Sequence, residues 1–292
     1  MKLAFVRLHI AVFLAGFTGV LGRLIELDAV WLVWFRLLIS AATMWVLFSI
    51  MHLIKPITAK DRNGILATGL IAGLHWVSFY ASIKTANVSI ALICFSAISF
   101  FTALFEPIIN RKKFDMLELV FGAVIIFAIY LIFQFDPNNR TGIILGIISA
   151  LLGAIFPILN KNFLNRTNAE TLMSWELTGG FIAITILMPL YQYFFKVVYK
   201  MPSWSDIGWL LFLSWICSVW AFRLAAQALQ KISAFTVNLS YNLEPVYGIA
   251  IAFILYRENK ELNRFFYIGL ALIILTVLVQ TTRVWQQHRS KE

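Results

Sequence analysis

The sequence predicts an all-α integral membrane protein with ten transmembrane helices, arranged as two inverted repeats of five helices. Of its 292 residues, 61% are hydrophobic and only 13% are charged, whereas soluble domains average about 45–50% and about 25%. The apolar residues fall into ten runs of about 20 residues, which is the length that an α-helix needs to cross a bilayer. The two halves of the chain also resemble each other weakly. Lipid is therefore the expected surroundings of most of the chain.

The ten apolar runs are separated by short breaks that carry charged residues, proline or asparagine. The helices are expected at residues 5–24, 29–51, 63–83, 87–109, 115–134, 141–161, 169–190, 205–228, 234–256 and 263–283. The first run has no small-residue cleavage site, so we interpret it as a helix and not as a signal peptide. The longest break, Tyr191–Trp204, is rich in aromatic and basic residues and is predicted to carry a short interfacial helix. Every break is too short for a soluble domain, so the activity is expected within the membrane.

The distribution of Lys and Arg predicts the orientation. The termini and the connections on their side carry fourteen of the 24 Lys and Arg, the opposite connections carry eight, and two lie inside helices. Because positively charged connections stay in the cytoplasm, we expect a multi-pass protein of the inner cell membrane with both termini cytoplasmic. The net charge of +10 follows from these connections. Lipid is thus an expected partner and nucleic acid is not.

An internal repeat is indicated by the order of the helices and by a few aligned residues. A shift of 147 residues aligns residues 80–86 with 227–233 and places Lys84 on Lys231. We therefore divide the chain into a first repeat, 1–138, and a second repeat, 139–292. Because five is an odd number, the second repeat enters the membrane from the opposite side. Inverted repeats are frequent in transporters, where two similar halves alternate around one site near the membrane midplane.

Short motifs in this order carry a family resemblance. They are Phe35-Arg36 in the second helix, Ala-x-x-Lys at 81–84 and 228–231, and Glu244-Pro245 in the ninth helix. Over essentially its whole length the chain resembles the drug/metabolite transporter superfamily, specifically the ten-helix transporters with two EamA repeats. The resemblance implies a secondary transporter, since many such proteins export amino acids or other small metabolites. The chain departs from the family pattern in the fourth helix, where Ala97-Ile98 replaces a common proline and Glu106-Pro107 stands nearer the cytoplasmic end.

Two ionisable residues lie deep at matching places of the repeats. A charge at mid-membrane costs at least about 2.5–3.5 kcal/mol, so it is expected to face the helix interior and to have a partner. Arg36 in the second helix is either a structural arginine or a guanidinium that binds a substrate carboxylate or phosphate. Glu176 in the seventh helix matches it, beside Gly179 and Gly180, which admit a close neighbour. If both face one cavity, an ion pair between Arg36 and Glu176 is expected to act as a gate.

The eighth and ninth helices carry the second polar group. Arg223 lies on a polar stripe of the eighth helix, and Tyr241, Asn242 and Glu244 lie close together in the ninth. Pro245 removes a hydrogen-bond donor and obstructs the Tyr241 carbonyl, so we expect a helix kink that lines a cavity. Glu244 is either a proton carrier, since a buried carboxyl can exchange a proton near neutral pH, or a permanent partner of Arg223.

Histidine and aromatic residues supply weaker candidates. His75 in the third helix has Ser78 and Ser82 on nearby turns, and it is either hydrogen-bonded packing or part of the site. Aromatic side chains either shape a pocket or pack within the protein; the candidates are Trp76, Tyr80 and Trp220.

Catalytic and cofactor signatures do not occur in this sequence. There is no HExxH, no GxSxG and no phosphate-binding loop, and the two cysteines, Cys94 and Cys217, lack metal-ligand spacing. We therefore expect no metal, no cofactor and no enzyme activity. Without a phosphate-binding loop, an ion gradient or the gradient of the solute itself is the expected energy source.

These observations favour a secondary transporter that moves a small metabolite such as an amino acid by alternating access; the family resemblance implies export, and Glu244 is the candidate residue if transport is coupled to protons. A balanced set of two Arg and two Glu inside the membrane suits a solute that carries both charges. The alternative is a membrane-embedded enzyme for a lipid or isoprenoid substrate, with Glu176 or Glu244 as acid or base. A passive channel fits poorly with opposite charges at the centre. A monomer is compatible with the sequence.

Overall fold

The computed structural model describes residues 2–232, 234–241 and 243–289, and this part of the chain is helical without β-strands. The helices are α1 Lys2–Leu24, α2 Ala29–Ile50, α3 Ala59–Thr85, α4 Val88–Phe95, α5 Ile98–Asn110, α6 Met116–Phe135, α7 Arg140–Phe163, α8 Ala169–Phe195, α9 Trp204–Ser214, α10 Ala221–Leu229, α11 Ala234–Tyr241, α12 Glu244–Tyr256 and α13 Arg264–Arg289. A π-helical turn, Trp215–Trp220, joins α9 to α10. The all-α fold class is thereby confirmed.

The outer surface of the helices is apolar. Within the described residues, eight helical stretches are long and apolar enough to cross a membrane, and two shorter apolar helices cover Glu244–Tyr256 and Arg264–Val279. Large apolar side chains point outward; Ile186 is 70% exposed and Val46 is 62% exposed. Water would disfavour so much exposed apolar surface, whereas lipid does not. The chain is therefore a multi-pass membrane protein.

Polar residues in the breaks determine where the helices start. The Asp28 carboxylate accepts a hydrogen bond of 3.0 Å from the Val30 amide before α2, and the Asn87 side chain accepts one of 2.8 Å from the Ile90 amide before α4. Such caps satisfy amide groups that have no partner within the helix. Hydropathy and capping residues thus locate these helix starts together.

The predicted interfacial helix between the seventh and eighth segments is wrong. The apolar run Tyr191–Phe195 extends α8, which ends where Lys196 adopts a positive φ of 51°. The following residues, 196–203, are not helical. Pro202 disfavours helical backbone at Met201, and the capping box formed by Ser203 and Asp206 starts α9 directly afterwards.

The fourth and ninth predicted segments are each broken near their middle. The fourth divides into α4 and α5 at Ser96 and Ala97, without a proline at that point. There the amides of both residues bond to carbonyls three residues back, at 3.2 and 3.1 Å, which tightens the turn. The ninth segment divides before Glu244, and Pro245 occupies the first turn of α12, where proline is tolerated. The irregularity expected at Pro245 therefore falls just ahead of it, where Leu243 forms a turn directly before α12.

Close backbone contact joins α3 to α8. A methyl group added at Gly69 would lie 2.0 Å from the Glu176 carbonyl oxygen, and one added at Gly179 would lie 2.3 Å from the Leu66 carbonyl oxygen. Small residues allow such approach between membrane helices. The expected role of Gly179 as a close-contact residue is confirmed.

Polar contacts between the connections fall into two groups. We call the side of the membrane that carries the start of α1 the terminal side, and the other the opposite side. Terminal-side pairs are Arg166–Asp61 at 2.5 Å and Arg283–Asp115 at 2.6 Å. Opposite-side pairs are Arg23–Glu258 at 2.5 Å and Lys200–Glu26 at 3.2 Å. These contacts agree with helices that alternate in direction along the chain.

Candidate functional site

A cavity lies between helices drawn from both halves of the chain. Its walls are mainly apolar and aromatic, with few polar groups. The aromatic lining residues are Trp76, Phe79, Phe95, Phe156, Phe222 and Tyr241, and the charged or polar ones include Thr18, Arg36, Ser40, His75, Asn160, Ser218 and Glu244. A mainly apolar cavity with a few convergent polar groups is the usual form of a small-molecule site.

Arg36 projects from α2 into this cavity and is held by neutral groups. Its Nε donates to the Ser218 Oγ at 2.8 Å, and one terminal nitrogen donates to the Tyr80 hydroxyl at 2.9 Å. The guanidinium carbon lies 4.6 Å from the centre of the Trp76 ring. Arg36 is only 5% exposed, and within the described residues it forms no ion pair. Its charge is therefore positioned but not neutralised.

Ser218 owes its place to the π-helical turn. Ser218 lies within that turn, and its hydroxyl donates at 2.8 Å to the Leu213 carbonyl, five residues back. The same oxygen accepts the bond from Arg36. π-Helical turns occur frequently at functional sites, and this one fixes the orientation of the Arg36 guanidinium.

Glu244 lines the same cavity at the break before α12. It is 4% exposed, and the Thr18 side chain of α1 approaches its carboxyl group. Because the chain breaks just before it, the carboxyl stands at the start of α12, where the helix dipole favours negative charge. Within the described part of the chain no cation pairs with it, so the proposed permanent pair of Glu244 and Arg223 is not formed.

His75 lines the cavity from α3 but its ring is already engaged. The Nδ1 atom lies 2.9 Å from both the carbonyl and the hydroxyl oxygen of Ser149 on α7. Phe95 and Phe156 flank the ring, with centroids 5.3 and 5.6 Å away. Of the two interpretations of His75, hydrogen-bonded packing at the cavity wall is the one that these contacts favour.

Glu176 does not meet Arg36. It is fully buried on α8, and both of its carboxyl oxygens accept from the Nδ2 atom of Asn160 on α7, at 3.0 and 2.9 Å. Asn160, and not Glu176, lines the cavity. The expected Arg36–Glu176 gate is therefore wrong: hydropathy gives the depth of a residue in the membrane but not the rotation of its helix.

Arg223 faces away from the cavity. Its Nε donates 2.9 Å to the Glu170 carboxylate at the start of α8, and it borders a separate groove with Trp215 and Trp220. Trp220 is 52% exposed, so it does not shape the central pocket. Arg223 and Glu170 form a pair on the outer face of α10.

The remaining predicted site residues take different places. Tyr241 lines the cavity. Tyr80 is fully buried behind Arg36 and accepts its hydrogen bond. Asn242 lies outside the described residues. Within the described residues no group of three or more His, Cys, Asp or Glu side chains could hold a metal ion. Of the free cysteines, Cys94 is buried and Cys217 contributes to the cavity wall.

On the opposite side of the membrane, a buried carboxylate joins three segments of the chain. Glu258, which is 0% exposed, pairs with Arg23 and accepts bonds from the Val88 and Ser89 amides at 3.1 and 2.9 Å. The Ser89 hydroxyl donates to the same carboxylate. We call Arg23, Ser89 and Glu258 the latch, because they join α1, α4 and the end of α12. The cavity reaches instead toward the terminal side, where Asn160 and Leu229 line it near the ends of α7 and α10.

Several of these residues escaped the sequence analysis. Asn160 and Ser218 are uncharged, so the cost of burying charge did not single them out. Glu170 and Glu258 lie at a helix start and in a connection, where carboxylates are common. The one available signal was Asn160 itself, an amide within a predicted membrane segment of the second half.

Comparisons with known proteins agree with this architecture. The model of the EamA-like transporter family matches residues 3–134 and 140–282. An uncharacterized transporter of Archaeoglobus fulgidus is 27% identical over 271 residues, which cover 90% of each chain. A solved crystal structure has a TM-score of 0.67 and 15% identity over 96% of this chain and 97% of that one. At that identity the likeness concerns the fold alone.

Proposed function

The chain belongs to the EamA-like transporter family, and from this premise we propose that it is a secondary transporter that exports a small metabolite carrying both charges, such as an amino acid. Membership in this family points to a transporter and not to an enzyme. The observation that carries the proposal is that Arg36 and Glu244 line one cavity without an ion pair between them. Buried charges normally find partners within the protein, so these two are available to a solute.

The chemistry of the two groups specifies the cargo. A guanidinium presents a planar fork that matches a carboxylate, and Glu244 matches an ammonium group. The aromatic walls suit an apolar portion of the same molecule. A solute with both charges gives each of the two buried side chains a counter-charge. A singly charged solute would leave either Arg36 or Glu244 buried without one, which is energetically costly.

Proton coupling through Glu244 fits the same arrangement. Cargo ammonium and a proton compete for one carboxyl, so each excludes the other from the loaded site. Export of one cargo molecule is then coupled to the entry of a proton. The sequence contains no phosphate-binding loop that would indicate direct use of ATP.

Alternating access is proposed between two inverted repeats, 1–138 and 139–292. In support, the breaks of the fourth and ninth segments correspond under the shift of 147 residues, which aligns Ala97 with Glu244. In further support, the cavity extends toward the terminal side, whereas on the opposite side the latch ties α1 to α4 and to the connection after α12. We place the protein in the inner membrane with both termini in the cytoplasm. The cavity of this structure then extends toward the cytoplasm, which is the conformation that loads cargo for export.

Counterflow in proteoliposomes tests the proposal. Vesicles preloaded with an unlabelled amino acid should accumulate the same labelled amino acid, whereas protein-free vesicles should not. Panels of amino acids, of organic acids and of amines are run in parallel. Counterflow only of acids or only of amines, or of no solute, would contradict the proposal.

A further inference from the structure

The end of the cavity nearest the terminal side carries an acceptor that has no partner. Asn160 is 2% exposed and lines the cavity. Its Nδ2 donates to both oxygens of Glu176, while its Oδ1 is buried and has no hydrogen-bond partner within the described part of the chain. Most buried polar side-chain atoms in folded proteins have such a partner, so this one calls for an explanation.

Glu176 determines which way the amide of Asn160 points. Both carboxyl oxygens accept hydrogen bonds, so the NH2 group turns toward them and the carbonyl oxygen turns away. Glu176 is itself fixed, because α3 packs against its backbone at Gly69. The carboxyl does not line the cavity. It is a positioning residue that engages the Nδ2 of Asn160, a cavity-lining residue, and leaves the Oδ1 of the same amide as the acceptor without a partner.

Asn160 lies far from the two charged groups. It is twenty residues from the opposite-side start of α7 at Arg140, and Glu244 is twelve residues from the opposite-side end of α12 at Tyr256. At a rise of 1.5 Å per residue, the difference between these two depths is about 12 Å along the membrane normal. A molecule held at Glu244 reaches Asn160 only with its distal end.

We propose that the Asn160 carbonyl oxygen accepts a hydrogen bond from a neutral donor, a hydroxyl or amide N–H, at the distal end of the cargo. Asn160 is then the residue that selects among solutes with the same charged end. The neighbouring Lys161, whose ammonium group bonds to the Leu229 and Ile232 carbonyls, disfavours a distal cation. This inference rests on the proposed function, because the charged end must be held at Arg36 and Glu244.

The test compares solutes that differ only in the distal donor. Counterflow is measured for tyrosine against phenylalanine and for glutamine against norleucine. The wild type should favour the donor-bearing member of at least one pair by about tenfold or more, because a site built for a hydrogen bond discriminates against an analogue that lacks it. Asn160→Leu should bring that ratio to about one while rates for the apolar member change less than about threefold.

A second variant keeps the test interpretable if Asn160→Leu alone destabilises the fold. Asn160→Leu leaves the Glu176 carboxyl without its donor, so the double variant Asn160→Leu/Glu176→Met removes both polar partners together, which is tolerated better. Asn162→Leu is the matched control, since that side chain bonds to Asn110 and does not line the cavity, and its ratio should stay at the wild-type value.

Three outcomes are distinct. Loss of discrimination in the variants but not in the control supports the assignment of Asn160. Equal discrimination in the wild type and both variants, or no discrimination in the wild type, overturns the assignment and leaves the proposed function standing. No counterflow of any amino acid by the wild type overturns the proposed function, and the assignment of Asn160 with it.

Discussion

At the scale of single residues, Arg36 combines deep burial with an unpaired charge. Its partners are the Ser218 and Tyr80 oxygens and the Trp76 ring, all neutral. They fix its geometry and leave its charge available. A residue that only stabilised the fold would instead be expected to pair with a carboxylate.

Replacement of Arg36 by Lys tests this geometry. An ammonium group keeps the charge but cannot reproduce the fork that contacts Ser218, Tyr80 and a carboxylate together. We expect KM for cargo in proteoliposomes to rise by about tenfold or more. Arg62→Lys, at an exposed position of α3, is the control and should behave as the wild type. An unchanged KM in Arg36→Lys would argue against carboxylate binding there.

Replacement of Glu244 by Gln separates coupling from binding. The amide cannot exchange a proton, so uptake or efflux driven by a pH gradient should be lost, whereas exchange of cargo for cargo should continue at a reduced rate. Glu261→Gln, on the exposed opposite-side connection, should retain both activities. Full pH-driven transport by Glu244→Gln would remove Glu244 as the proton carrier.

The sequence located these residues better than it identified their partners. The cost of intramembrane charge singled out Arg36 and Glu244, and the structure brings both to one cavity. The sequence also suggested that Arg36 pairs with Glu176 and that Arg223 pairs with Glu244. In the structure Glu176 bonds to Asn160 instead, and Arg223 bonds to Glu170. A pairing depends on helix rotation and register, and hydropathy encodes neither.

At the scale of helices, α3 and α8 are joined by backbone contact. Gly69→Ala would place a methyl group 2.0 Å from the Glu176 carbonyl oxygen, where neither backbone can move independently. We expect destabilisation of about 1–3 kcal/mol, measured as a lower thermal midpoint in detergent. Gly208→Ala is the control, since nothing lies within 4 Å of its added methyl group. Equal midpoints for the two variants would contradict the close contact.

The latch is a second contact between helices, since it links α1, α4 and the end of α12 on the opposite side. Glu258→Gln removes its charge and the ion pair with Arg23. We expect faster labelling of Cys217, which lines the cavity, by a membrane-impermeant maleimide added at the opposite side, in a Cys94→Ala background. Breaking such a pair typically costs about 3–5 kcal/mol when it is buried, and less here because the Arg23 side chain is 37% exposed. A labelling rate several-fold above that of the parent is therefore expected.

Glu26→Gln provides the comparison for the latch. Its pair with Lys200 lies on the same side, but the Glu26 side chain is 77% exposed, and exposed pairs contribute little. Its labelling rate should equal that of the parent. If Glu258→Gln also matched the parent, the latch would have no part in closing the cavity.

Among the helices, the sequence predicts the spans but not the irregular turns within them. Apolar runs predicted the helices, because hydropathy is a local signal, and the caps that the structure adds, such as Asp28, are local too. The break at Ser96 and Ala97 and the π-helical turn at Trp215–Trp220 carry no proline, so no local signal marked them. The aromatic run after Tyr191 was assigned to the interface, although it continues α8.

At the scale of the whole molecule, a cavity lies between the two halves of the chain and extends toward the terminal side, and the latch lies on the opposite side. We propose that one solute bridges Arg36 and Glu244 in this cavity. This proposal concerns which solute is recognised, whereas the orientation of the chain and the inverted repeats concern the direction of transport.

The most direct test measures exchange of three forms of one amino acid in proteoliposomes: the free amino acid, its N-acetyl derivative and its amide. The N-acetyl form lacks the ammonium group and the amide lacks the carboxylate. We predict that only the free amino acid is exchanged and that removal of either charge lowers the rate by about 100-fold or more, since each change leaves one buried charge unpaired. Exchange of either derivative at the rate of the free amino acid would contradict the account.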